Sequence, residues 1–79
     1  MMSGSRQHAL SEARKLVRTF ASAPDPRRRA QAVLSELKHA EGWPPPARLK
    51  ISDTDTWLSG APSLATIEPR LRALLAELS

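Results

Sequence analysis

Seven prolines in 79 residues, at positions 24, 26, 44, 45, 46, 62 and 69, set the tightest limit on what this chain can build. Proline lacks a backbone N–H and pushes the residue before it out of helical geometry. A long rod and an extended ladder of strands are both interrupted wherever prolines cluster. What forms between the clusters is read from the spacing of apolar residues.

From Arg6 to Ala21, Leu10, Ala13, Val17 and Phe20 recur every three or four positions, with Ala9 and Leu16 widening the stripe. That is the period of an amphipathic helix. Ala23-Pro24-Asp25-Pro26 ends it. Asp25 is suited to an N-cap and Pro26 to the first helical position, so a second helix is predicted from Pro26 to Ala40 with Ala30, Val33, Leu34 and Leu37 buried. Gly42 stands where a C-terminal cap belongs. The run Trp43-Pro44-Pro45-Pro46 reads as extended polyproline geometry, followed by a short extended piece at Leu49-Lys50-Ile51. Ser52-Asp53-Thr54-Asp55 fits a capping box opening a short helix through Trp57 and Leu58 to Gly60. A last helix starts at Ser63 or, better, at Thr66, which leaves Pro69 in the first turn. It buries Ile67, Leu71, Leu74, Leu75 and Leu78. The expected fold class is therefore all-α, a bundle of three main helices and one short helix with Pro-rich connectors. Met1 to Ser5 form a flexible N-terminus, and residues 6–79 a single helical domain.

Mass and composition narrow the class. A chain of 8.7 kDa is too small to divide into two cores. Without cysteine there is no disulfide framework and no thiolate zinc site. No apolar run approaches the roughly 18 residues that cross a bilayer, and no signal-peptide core opens the chain. A cytoplasmic protein with no membrane partner is expected. A homodimer through the C-terminal leucine stripe would let so short a chain share burial.

Enzymatic chemistry finds no support. His8 and His39 lie near a terminus and a helix end, and neither is paired in sequence with a nucleophile. Asp53 and Asp55 are two apart, so on a helix they do not face each other. Two histidines without cysteine make a poor metal site, and three scattered glycines make no phosphate loop. No catalytic residue, metal or cofactor is expected.

Charge is more informative. Residues 1–29 carry seven cations against two acids, whereas residues 30–79 carry five against six, within a net charge of +4. Nine of the twelve cations are Arg, whose planar fork suits phosphate and carboxylate. Arg14, Lys15 and Arg18 share one face of the first helix. Arg27, Arg28 and Arg29 occupy the first turn of the second, where they oppose the helix dipole. A cationic front half points to an acidic partner, nucleic acid first. The competing interpretation is ordinary solvation.

The segment Glu41-Gly42-Trp43-Pro44-Pro45-Pro46-Ala47-Arg48-Leu49, followed by Ser52-Asp53-Thr54-Asp55-Thr56-Trp57-Leu58, resembles part of the AlpA-like prophage regulator and excisionase family. Members have an E-G-x-F-P-x-P-x-R-L-like stretch and then an S-D-I-x-x-W-L helix. The resemblance covers residues 41–58. Only Lys50 and Ile51 stand in place of the family's wing hairpin, and Ala23–Pro26 replace its usual inter-helix turn. The resemblance implies a winged-helix DNA-binding protein, with Pro44–Leu49 entering the wing and Trp57 and Leu58 locking the next helix. It also makes the helix before Gly42 the recognition helix.

The reading that follows is a non-enzymatic nucleic-acid-binding module, a transcriptional or recombination regulator. Arg14, Lys15, Arg18, Arg27, Arg28 and Arg29 would neutralise phosphates, while Gln31, Ser35 and Lys38 read bases. The alternative, held open beside it, is a protein-interaction adaptor docking through Trp43, Leu71, Leu74 and Leu78.

Overall fold

The computed structural model describes residues 6–78, so the flexible start expected at Met1–Ser5 lies outside the described residues. Four α-helices follow one another: α1 (Arg6–Arg18), α2 (Pro26–His39), α3 (Pro45–Ser59) and α4 (Leu64–Leu78), with a single 3₁₀ turn at Phe20–Ser22 after α1. No strand occurs among the described residues. The all-α expectation holds. Among the described residues, no helix is long and apolar enough to cross a membrane. Each helix packs on the next, α4 returns to α1, and α2 reaches across to α4.

The core is assembled from the stripes that the spacing marks. Leu16 of α1, Leu34 and Leu37 of α2, Ile51 and Leu58 of α3, and Ile67 and Leu71 of α4 are all fully buried. Phe20 and Trp43 close it at the edges, and Trp57 packs half-buried against it. No buried side-chain polar atom among the described residues lacks a hydrogen-bond partner.

The proline-rich connector is where expectation and structure part. Pro44–Pro46 do not run on as polyproline: Pro44 is extended (φ −66°, ψ 158°) and Pro45 opens α3. The first amides of a helix have no intrahelical partner, so prolines there forfeit no bond. The first amide required is that of Arg48, which donates to the Pro44 carbonyl at 3.1 Å. Leu49-Lys50-Ile51 are consequently helical rather than extended, and α3 is a full 15-residue helix. Ser52–Asp55 lie inside it and open nothing. Thr54 instead donates its hydroxyl to the Lys50 carbonyl at 2.8 Å, the back-bond that Ser and Thr make in mid-helix. The stretch that the family resemblance assigns to a wing is therefore the first turn of a helix.

Two further expectations change. Asp25 occupies the N-cap position of α2 but in the left-handed region (φ 48°), without a side-chain cap bond. Thr66 is not the start of α4, which begins at Leu64; its hydroxyl donates to the Ser63 carbonyl at 2.7 Å. Pro69 thus sits inside α4, and the exposed Ala65 carbonyl has no amide to accept from. Replacing Pro69 with Ala supplies that amide. An interior proline costs about 3 kcal/mol and returns about 1 kcal/mol through the unfolded chain, so Pro69→Ala should stabilise by about 2 kcal/mol. Thermal melts should show Tm rising by roughly 8–16 °C. An unchanged or lower Tm would mean that the ring is packed usefully where it stands.

Candidate nucleic-acid interface

Position on its helix decides what each cation can do. Along α1 the outward strip carries Gln7, Ser11, Arg14, Lys15 and Arg18, all exposed and spaced to lie on one face. Among the described residues, no carboxylate of α1 belongs to that strip. Glu12 flanks it, 4.0 Å from the Lys15 ammonium. Arg14 and Arg18 also overhang a groove of about 380 Å³ between α1 and α4, lined by Val17, Leu75 and Ala76 and closed on the far side by Arg72. Arg72 is steadied by Glu68 one turn earlier, its Nε and Nη2 donating to one carboxylate oxygen at 3.0 and 2.7 Å.

The three arginines opening α2 part company. Arg27 is half-buried and donates from Nη1 to the Pro62 carbonyl at 2.6 Å, tying the start of α2 to the α3–α4 connection. Arg28 and Arg29 face a different notch, between α1 and α2, shared with Glu12, Asp25 and Glu36. Three carboxylates against two guanidiniums leave that notch unattractive to a phosphate. Lys38 points toward α3 and meets Asp55 at 3.2 Å. Gln31 and Ser35 are exposed on α2, away from the α1 strip's groove. The nine residues singled out from sequence therefore divide among several surfaces, of which the α1 strip gathers Arg14, Lys15 and Arg18 on one exposed face.

Arg72 was not among them. Its i,i+4 relation to Glu68 looks like an ordinary helix-surface pair, and only the return of α4 to α1 sets it beside Arg14 and Arg18. The residues of the adaptor alternative go inward: Leu71, Leu74 and Trp43 are 2%, 5% and 7% exposed, and Leu78 is half-buried. A partner would reach the first three only by opening the bundle.

Four Lys or Arg ion pairs among the described residues join exposed or half-exposed side chains, worth about 0–1 kcal/mol each, and His8 lies 3.7 Å from Glu36. They shape the surface field more than they hold the fold. No group of three or more His, Asp or Glu side chains could hold a metal among the described residues. The chain matches no protein-family model, and comparison with curated proteins and with solved structures gives no match either.

Proposed function

We propose that this chain is a small non-enzymatic module that binds nucleic acid through its phosphates, with α1 as the contact element and Arg72 of α4 beside it. The observation that carries this reading is the gathering of exposed cations on the outward strip of α1. There Arg14, Lys15 and Arg18 stand together on a rigid helix, bordered by a groove whose rim adds a further guanidinium. Cations on one helix face attract a polyanion without regard to sequence, and guanidiniums add bidentate phosphate contacts. Arg27 has a structural part in this reading. A role in transcription or recombination is its narrower form and rests on the resemblance of residues 41–58.

Fluorescence anisotropy with random duplex DNA tests it. Binding should weaken with salt at a slope of about −0.9 per neutralised phosphate, and Ala at Arg14, Lys15 and Arg18 together should flatten that slope by roughly 2–3. Arg27→Ala should leave the slope where it was. No binding at 50 mM salt, or a slope indifferent to the triple substitution, would overturn the proposal.

A further inference from the structure

The exposed face of α2 that borders the α1–α2 notch has an order that the phosphate-binding reading does not use. Asp25, Arg28, Ala32, Glu36 and His39 are all exposed and follow the helical repeat down one face. Arg28 and Glu36 are opposite in charge about Ala32, with Asp25 and His39 further out. Arg28 stands four residues before it and Glu36 four after; Asp25 stands seven before and His39 seven after. At 1.5 Å per residue, the arginine and the glutamate lie about 6 Å to either side of a methyl group.

Such a face is complementary to itself. If a second α2 is laid antiparallel with the twofold axis at Ala32, Arg28 of each copy meets Glu36 of the other, and Asp25 meets His39. This is the condition for an isologous contact, in which the same patch serves both subunits. The small side chain at the crossing point lets two helix axes approach closely. Beside the axis the notch offers apolar surface from Pro24, Ala32 and the edge of Val33, with a volume of about 540 Å³ between α1 and α2. Within one chain Arg28 and Glu36 are eight residues apart on the same helix, too far along it to satisfy one another. Glu36 lies 3.7 Å from His8, and His39 sets Nδ1 2.8 Å from the Ser35 carbonyl.

We infer that the chain associates with a second copy of itself through α2, as an antiparallel twofold pair centred on Ala32. The dimer assigns Arg28 a role that phosphate binding does not. The inference is independent of the α1 strip, which lies on a different helix. A stable interface buries about 800 Å² per partner. One face of a 14-residue helix, on a molecule whose whole accessible surface is 5046 Å², offers less than that. The pairing is accordingly weak and salt-sensitive, with a dissociation constant on the order of 10–100 µM.

Sedimentation equilibrium of the full chain at low salt, from about 5 to 500 µM, reads the association directly, across the range set by that affinity. Arg28→Glu and Glu36→Arg should each raise the dissociation constant at least about tenfold. Mixed in equal amounts, the two variants should restore a dimer, because each supplies the charge the other lacks. The doubly exchanged chain should also dimerise. Ala32→Glu, which brings two carboxylates together at the axis, should abolish the dimer; the site is exposed, and far-UV circular dichroism verifies that the variant is folded. A chain that stays monomeric at 500 µM, or a dimer indifferent to both charge reversals and to Ala32→Glu, would overturn the inference.

Discussion

Replacing Leu34 with Ala should lower the unfolding free energy by about 3–4 kcal/mol. Leu34 is fully buried in α2, which, like α4, touches the other three helices. Removing its isobutyl group forfeits the transfer free energy of those carbons and leaves a void. With three helices held on that side by separate contacts, the walls cannot all move in to fill it. A chain of this length has a total stability of about 4–12 kcal/mol, so one truncation consumes a large part of it. Urea unfolding followed by circular dichroism should show the midpoint fall sharply at constant slope. A loss under about 1 kcal/mol would mean that the core near α2 collapses freely and is not close-packed.

The fold was legible wherever a stripe could be read against a clear boundary. Leu10, Ala13, Val17 and Phe20, then Ala30, Val33, Leu34 and Leu37, located α1 and α2, because propensity, period and the Pro24–Pro26 break agree; the end of α1 was placed at Ala21, whereas the helix stops at Arg18 and Phe20–Ser22 form a separate 3₁₀ turn. The beginning of α3 was not legible. Three consecutive prolines are as compatible with an extended connector as with an N-cap and the first two positions of a helix, and only the bonding of Arg48 distinguishes them. The apolar positions of α3 add little, since Leu49 is 67% exposed and Thr54 takes a buried place that a stripe would give to an aliphatic residue. In α4 the interior proline misled in the opposite direction: helix packing through Ile67, Leu71 and Leu74 outweighs one missing backbone bond.

Less of the candidate interface was legible than of the fold. That Arg14, Lys15 and Arg18 share a face follows from helical geometry alone. Which cations have carboxylates for neighbours does not, because Lys38 meets Asp55 across 17 residues and Arg28 shares its notch with an acid from α1. Charge density along the sequence gathers Arg27, Arg28 and Arg29 into one cluster; the folded chain sends Arg27 to a carbonyl and the other two to a mixed-charge surface. Total charge is read from composition, but a patch is a property of packing.

Trp43 is the second place where a single substitution should be severe, and there the loss divides into parts. Its ring is 7% exposed, and its indole N–H donates to the Leu37 carbonyl at 2.7 Å. That carbonyl belongs to the last turn of α2, where no following helical amide is available, so the tryptophan caps the helix while its ring closes the core. Outside, the Arg6 guanidinium stands 5.7 Å from the ring centroid and donates to the Gly42 carbonyl at 3.2 Å, fastening the start of α1 to the loop. Gly42 adopts φ 94°, a conformation that L side chains rarely adopt, and this turns the chain so that Trp43 points inward. Trp43→Ala should therefore cost about 3–5 kcal/mol. Trp43→Phe keeps most of the apolar burial but orphans the Leu37 carbonyl, and should cost about 1–3 kcal/mol. Arg6→Ala, on the exposed side of the ring, should cost about 0.5–1 kcal/mol. The same urea titration on all three variants gives the order, and the order is the test. If Trp43→Phe is as damaging as Trp43→Ala, the carbonyl cap dominates. If Trp43→Ala costs less than 1 kcal/mol, the loop is not anchored through this ring, and the entry into α3 must be fixed by the prolines alone.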